Sequence, residues 1–278
     1  MNTEISTIAL HKIRDYVHRT AGIVIGADKT ALVTGRLWRR LELTGHTTYE
    51  SYFAFVSSTA GEQERHIMLD LLTTNETYFF REPAHFNFLR DHIIPQQGPQ
   101  KMRVWCAASS TGEEAHSIAM VLSDALGKCD WDILATDISG KVLEHARTGV
   151  YRAERINHIP RDYLQRFCRR GIGEYDGMLA VVPSLRSRIC FEQHNLLHAR
   201  TGDEQFDVVF LRNVLIYFDQ PTKQKVVENI LKSMRPGGWL ILGHCESLQG
   251  LDLDIKAMRP SIYRKPLAAE SMLKKVAS

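Results

Sequence analysis

Four short apolar runs recur between residues 102 and 243: Met102 to Ala107, Trp131 to Thr136, Phe206 to Leu211 and Trp239 to Gly243. In the third run Val208, Val209 and Phe210 are consecutive, without the polar alternation of a strand that keeps one face in water. Strands that are apolar on both sides must be covered on both sides, the condition of a parallel sheet between helical layers. Helical patterns at Glu114 to Leu126, Ser139 to Ala146 and Pro221 to Met234 supply the crossovers. The chain is therefore expected to build a parallel α/β sheet, and ligands of open sheets of this kind bind at the carboxyl ends of the strands.

The part before this pattern has a different texture. From Ile8 to about Phe88, apolar residues recur at helical spacing, as in Ile8, Ile13, Tyr16 and Val17 and again in Leu32, Leu37 and Leu41. Gly22 and Gly26 interrupt these patterns, and Asp28 is placed to cap a second helix that ends near Gly45. Further helices are expected over Tyr49 to Val56 and Glu62 to Leu72. The expected division is a helical domain over residues 1–88 and an α/β domain over 89–278, with a Pro95 to Lys101 linker. Within the second, Met178 to Val182 and Arg188 to Phe191 flank Pro183-Ser184 and follow the turn formers Gly171, Gly173 and Gly177. A small antiparallel β subdomain at about 165–192 accounts for them, and a loop ending in one ordinary sheet strand accounts for them equally well. The stretch from Ala268 reads as a helix or loosely tied tail.

Composition excludes several classes. A chain of 278 residues with 44% hydrophobic and 24% charged residues can bury a sizeable core. A formal charge of +3 is too small for nucleic-acid binding by bulk charge. The five cysteines, at 106, 129, 168, 190 and 245, form no Cys-x-x-Cys pair, so neither a disulfide framework nor a structural zinc site is expected. His116, His194 and His244 lack metal-ligand spacing, and no metal is assigned. The start does not read as a signal peptide and no apolar stretch reaches membrane-spanning length, so a cytoplasmic protein without membrane insertion is expected.

The chemistry begins where the first strand ends. Ala107-Ala108-Ser109-Ser110-Thr111-Gly112 places small residues between strand and helix, where a ligand can approach backbone amides. Glu113 and Glu114 follow; they would repel a phosphate and attract an ammonium or hydroxyl, though an acidic first turn also complements a helix dipole without any ligand. Asp137 ends the second strand, where a carboxylate can accept two ribose hydroxyls or cap the next helix. Asn195, after the strand near Ile189 to Phe191, suits an adenine edge or a turn cap. Arg212 and Asn213 interrupt an apolar run at the end of another strand.

Trp105 through Met120, Asp137, Leu211 through Asp219 and Pro236 through Leu242 together resemble the class I S-adenosylmethionine (AdoMet) methyltransferases of the bacterial chemotaxis receptor type, the CheR family. The similarity covers nearly the whole chain. It implies an N-terminal helical domain, a doubly wound domain with a small antiparallel subdomain, and esterification of glutamates on receptor cytoplasmic helices, with S-adenosylhomocysteine as product. It also implies recruitment to membrane receptor arrays. The segment Asn75-Glu76-Thr77-Tyr78-Phe79-Phe80-Arg81-Glu82 looks like the family's cofactor stretch, with Asn75, Thr77 and Arg81 nearest AdoMet. Glu113 or Glu114 then resembles the acidic contact to the methionine end, Asp137 the ribose ligand, Asn195-Leu196 the adenine-side contact and Asn213-Val214 the inner wall. Arg212 and Tyr217 resemble residues facing the substrate glutamate; Arg81 and Arg212 can attract either the substrate or the methionine carboxylate, and the Tyr217 hydroxyl can orient either the substrate or the sulfonium environment. The sequence departs from the family pattern at Ala115-His116, where Pro-Tyr is common, and at Cys245, where Gly-His-Ser-Glu is more usual.

Two docking surfaces are expected. Residues 11–40 carry seven basic against two acidic side chains, a local +5, and Arg36, Arg39 and Arg40 fall near one helix face. The resemblance implies that this helix meets acidic receptor helices. In some members the β subdomain binds a receptor C-terminal pentapeptide by strand addition. Arg170, Gly171, Gly173, Arg186 and Arg188 are the candidates for that contact. A nucleic-acid methyltransferase, or a non-catalytic receptor-binding adaptor, are the alternatives. The absence of an aromatic track beside the arginines disfavours the first, and the intact Arg81, Asp137, Asn213 and Tyr217 disfavour the second.

Overall fold

A computed structural model describes residues 4–98, 100–127 and 129–267. The expected tail from Ala268 lies outside the described residues. The chain divides into two compact units, one running to Thr74 and including Tyr217–Thr222, the other comprising Asn75–Ile216 and Lys223 onward. The break at Thr74 differs from the expected one at residue 88, because Phe79, Phe80, Phe86 and Phe88 pack into the sheet unit's core.

The first unit is built from α1 (Thr7–Ala21), α2 (Thr30–Thr44), α3 (Tyr49–Val56) and α4 (Glu62–Leu72). Ser6 caps α1 by accepting the Ala9 amide, and Thr48 caps α3 by accepting that of Ser51. Asp28 does not cap α2. It lies in a separate 3₁₀ turn, Ala27–Lys29, and α2 starts without a side-chain cap. The core joins Ile13 and Val17 of α1 to Val33, Leu37 and Leu41 of α2, Tyr52 and Val56 of α3, and Met68 and Leu72 of α4. Ile8, read as part of the apolar stripe, is 67% exposed. Tyr217–Thr222 is tied to this unit by backbone: the Val24 amide donates to the Tyr217 carbonyl at 2.8 Å, and Ile23 bridges Phe218.

The second unit opens with α5 (Pro83–Phe88) and carries a seven-stranded sheet. In chain order the elements up to the insert are β1 (Met102–Ala107), α6 (Glu113–Leu126), β2 (Trp131–Asp137) and α7 (Gly140–Thr148). The insert contributes β3 (Val150–Arg152), α8 (Arg161–Phe167), β4 (Cys168–Arg170) and β5 (Met178–Val181). A short α9 (Pro183–Arg186) leads to β6 (Ile189–Gln193), β7 (Phe206–Leu211), α10 (Gln220–Lys232), β8 (Met234–Leu242), β9 (Lys256–Arg259) and β10 (Ile262–Arg264). The strand order is β6-β2-β1-β7-β8-β10-β9, parallel from β6 through β8 and antiparallel at β10 and β9. The order reverses at β1, whose two neighbours are β2 and β7, so the crevice of a doubly wound sheet opens at those strand tips. Val208, Val209 and Phe210 are wholly buried, as a strand covered on both faces requires. Each such side chain contributes about 1.5–3 kcal/mol relative to exposure.

The insert differs from the expected 165–192. Its three-stranded antiparallel sheet has the order β3-β5-β4, so it begins at Val150. The run Arg188 to Phe191 lies instead in β6, which pairs parallel with β2 at the edge of the large sheet. Gly171 is required here by close approach, since a Cβ would stand 1.9 Å from the Tyr175 carbonyl oxygen, and Gly173 by its φ of 62°.

Candidate cofactor site at the strand tips

The loop after β1 is held in a conformation that side chains rarely adopt. Ala108, Ser110 and Gly112 have φ of 68°, 48° and 92°, so the backbone turns sharply before α6. Three other non-glycine residues of this unit share the left-handed region near the same chemistry: Phe80 (54°) and Glu82 (58°) before α5, and Asn213 (58°) after β7. Such conformations cost of order 1–3 kcal/mol each and persist only where surrounding contacts hold them.

Those contacts are carboxylates. Asp137, at the tip of β2 and 7% exposed, accepts the Ser110 amide at 2.8 Å and the Ser139 amide at 3.0 Å. Its carbonyl accepts the His194 amide, which brings the β6 loop to the same tip. The helix-cap alternative for Asp137 does not apply, because Ser139 caps α7 by accepting the Val142 amide.

Glu246, after β8, fixes the loop after β7. Its two oxygens accept the amides of Asn213, Leu215 and Gly243 at 2.7 Å each and that of Ile216 at 3.3 Å. Burial nevertheless raises its carboxyl above the ordinary range, outweighing those amides. Sequence reasoning gave Glu246 no role; its signal was its place as the closing Glu of Gly243-His244-Cys245-Glu246, four residues past the end of β8.

Arg212, at the end of β7, is sealed from solvent between two acids. Its Nη1 donates to Glu114, and its Nη2 to Glu82 at 2.9 Å and to the Arg81 carbonyl at 2.5 Å. Burial opposes the charge, but Glu114 and Glu82 hold the guanidinium above its ordinary value. Burial raises the Glu82 carboxyl, and Arg212, Asn213 and His244 more than reverse this. Glu114 also accepts from the Cys106 thiol. Glu113 is wholly buried, paired to Arg155 at 3.1 Å and accepting from Thr111 at 2.6 Å. Both acids read from sequence as ligand groups are thus engaged within the protein, and Arg212 is not exposed toward an incoming substrate. Glu82, quoted in the motif but given no role, joins Arg212 to Asn213, whose Nδ2 donates to it at 3.3 Å.

The remaining candidates gather at the same tips. The Asn75 carbonyl accepts from Ser110 Oγ at 3.0 Å, Thr77 is buried, and Arg81 is partly exposed, donating to the Glu76 carbonyl and lying over the Tyr78 ring. Asn195 Oδ1 accepts the Leu197 amide, and the Leu196 carbonyl accepts from Asn229. Asn213 and Val214 are half-buried. Tyr217 belongs to the helical unit. The residue at the departure Ala115-His116 is a packing group: His116 is wholly buried, with Nδ1 2.9 Å from the Gly112 carbonyl and 3.0 Å from Tyr151 Oη. Its Nε2 has no partner, and burial pushes its pKa down to about 4.

The docking candidates are not equivalent. Arg36 donates to the carbonyls of Leu71 and Thr73, and Arg40 makes a two-armed pair with buried Glu64, so both secure α2 to its neighbours. Arg39 is exposed, beside exposed Trp38. Arg186 donates to the Thr148 carbonyl, and Arg188 to Asp130 and the Trp131 carbonyl while lying over the Trp131 ring, so neither sits on the three-stranded sheet. Arg170 is exposed on β4, an edge strand, 3.6 Å from Asp176. No helix among the described residues is long and apolar enough to cross a membrane.

The comparisons with known proteins agree with this architecture. Residues 8–73 match the family described as "CheR methyltransferase, all-alpha domain", and residues 75–263 the family described as "CheR methyltransferase, SAM binding domain". The chain is 38% identical over 262 residues to "Chemotaxis protein methyltransferase" of Escherichia coli (strain K12), covering 93% of this chain and 91% of the relative. It is 39% identical over 256 residues to "Chemotaxis protein methyltransferase 2" of Pseudomonas aeruginosa, covering 91% of each. With the "Chemotaxis protein methyltransferase" of Klebsiella aerogenes it shares 37% identity over 262 residues, covering 93% of this chain and 90% of the relative. A doubly wound sheet whose strand tips carry Asp137 and a strained small-residue loop, matched along both parts of its sequence, identifies the chain as an AdoMet-dependent methyltransferase belonging to the CheR family.

Proposed function

We propose that the chain methylates the side-chain carboxylates of specific glutamates in chemoreceptor cytoplasmic helices, giving glutamate methyl esters and S-adenosylhomocysteine. The observation that carries this reading is the likeness, over more than nine-tenths of the chain, to relatives described as chemotaxis protein methyltransferases. The strand tips fit the cofactor. The left-handed loop from Ala108 to Gly112 turns beside Asp137, whose carboxylate stands at the tip of β2 where a doubly wound sheet meets a ribose. Bound AdoMet supplies an electrophilic methyl group on a sulfonium. Asp137 is assigned the ribose, Asn195 and Leu196 the adenine side, Asn213 and Val214 the inner wall, and Asn75, Thr77 and Arg81 the segment before α5. Glu113 and Glu114, each paired to an arginine, are assigned to the methionine end on the family resemblance.

No general base is required, because a glutamate carboxylate is already ionised near neutral pH. The protein's part is to align that carboxylate and exclude water. Arg81, partly exposed, is assigned the substrate carboxylate. Arg212 is assigned a positioning part, since its guanidinium ties Glu82 and Glu114 and with them the loops at two strand tips. Tyr217 is assigned to orienting the substrate on the family resemblance alone.

Receptor engagement is assigned to α2 through Arg39, with Arg36 and Arg40 keeping the helix in place. The outer edge of β4, with Arg170 and the Gly171 and Gly173 turn, is assigned to strand addition by a receptor C-terminal peptide. Labelled AdoMet incubated with receptor cytoplasmic fragments should yield a base-labile carboxyl ester. Failure on fragments with verified methylation sites, by folded enzyme with bound cofactor, would reject the substrate class. Calorimetry with receptor C-terminal peptides tests the β4 edge separately, and no binding by any of several true termini would remove that assignment.

A further inference from the structure

Glu82, His85 and His244 form a cluster to which the methyltransferase reading gives no ligand. One ligand atom from each lies within 4.8 Å of the other two, and it is the one such cluster of three metal-ligating groups among the described residues. His85 Nδ1 stands 3.4 Å from Glu82 Oε2, and His244 Nε2 stands 4.0 Å from the same oxygen. Two imidazole nitrogens and a carboxylate oxygen at about 2.0–2.2 Å from a tetrahedral zinc ion would lie about 3.3–3.5 Å apart, so the 3.4 Å edge already matches, the 4.0 Å edge needs a shift of about half an ångström, and the His85–His244 edge, bounded by 4.8 Å, closes with the same movement of His244. His244 can make that shift, because its side chain is 53% exposed.

An independent observation points the same way. His85 is 2% exposed, yet its Nδ1 has no hydrogen-bond partner, although buried polar atoms are nearly always paired. The rings of His85 and His244 meet edge to face with centroids 4.7 Å apart, which keeps both imidazoles beside the carboxylate. The local charge also suits a cation. Glu82 and Glu114 share Arg212 between them, leaving one net negative charge on the triad, and the second acid holds the arginine when Glu82 takes a further partner. Exposure on the His244 side leaves a path for the ion and a position for water.

We propose that Glu82, His85 and His244 form a three-ligand site for a divalent transition metal of the zinc type, open at its fourth position. Two nitrogens and one oxygen favour zinc, cobalt, nickel or copper over the all-oxygen preference of magnesium and calcium. Glu82 also binds Arg212 and Asn213, so the ion would be coupled to the strand-tip loops through that one carboxylate.

The test uses the full chain, freed of metal with a chelator and titrated with cobalt(II), whose visible absorption reports four-coordinate geometry, followed by displacement with zinc. One saturable site per chain is expected, with the strong visible bands of a tetrahedral ion. His244→Ala, an exposed change, should weaken zinc by about tenfold or more and abolish those bands, and His85→Gln should do the same. If His85→Gln fails to fold, His244→Ala decides the matter. No saturable binding, binding unchanged in folded His244→Ala, or binding lost instead in His11→Ala at the exposed His11–Asp15 pair would each overturn the proposal.

Discussion

Acid should destabilise this protein through His116, and His116→Phe should remove that part of the loss. His116 is wholly buried, and its Nδ1–H is directed at the Gly112 carbonyl and the Tyr151 oxygen, which leaves Nε2 as the atom that must take a second proton. That atom has no acceptor beside it, and Arg186 is the nearby charge, so burial first and Arg186 second hold the folded pKa at about 4. In the unfolded chain the value returns to about 6.5. Because the folded value is the lower, the stabilising contribution is complete above about pH 6.5 and is lost as pH falls through about 4. The difference of about 2.5 units corresponds to about 3.4 kcal/mol in full, of which about 2.5 kcal/mol is lost between pH 8 and pH 4.5. Urea denaturation of both proteins at these pH values isolates the term, since every other group titrates alike in the two. Phe fills a similar volume but gives up the bond to Gly112, so the variant should trail at pH 8 and close about 2.5 kcal/mol of the gap by pH 4.5. A gap that stays constant with pH, or a His116 ring that titrates in the folded protein near 6.5, would refute the reasoning.

Asp137→Ala should weaken AdoMet by about 1–3 kcal/mol in calorimetry, through unpaired ribose hydroxyls, and should also lower stability because the Ser110 and Ser139 amides lose their acceptor. Unchanged affinity would sink the ribose assignment. Glu246→Gln should cost about 2–4 kcal/mol in urea denaturation, since an amide presents one acceptor and one donor to four converging N–H groups. A loss under about 0.5 kcal/mol would show that the loop after β7 holds itself. Arg39→Glu should weaken binding to receptor helices while leaving the melting temperature and AdoMet affinity in place, whereas Arg40→Glu should lower the melting temperature by stranding buried Glu64. Equal thermal losses in the two variants would remove Arg39 from docking.

The local pattern alone determined the order and kind of the principal elements. Consecutive apolar residues in Val208 to Phe210 require cover on both faces wherever the strand sits, and β1, β2 and β7 accordingly lie within one residue of the bounds read from the chain. Asp137 was legible for the same reason: a charge that ends an apolar run must stand at a strand tip, where the sheet meets solvent or ligand. The family motif was legible because its residues are contiguous from Asn75 to Glu82.

Tertiary structure decided whatever depended on a partner distant in sequence. Arg212 read as a group for the substrate, and it is sealed instead by Glu114 and Glu82, 98 and 130 residues away. Arg36 and Arg40 shared a basic helix with Arg39, yet carbonyls at the C-terminal end of α4 and a buried carboxylate in its first turn claim them. The third strand of the small sheet, Val150–Arg152, precedes the turn-rich segment that marked the insert, and three residues are too few to show a period. Periodicity records which side of an element is apolar. It carries no record of which charges meet across the fold, because that pairing is set by the geometry of folding and by the cost of leaving a buried ion alone.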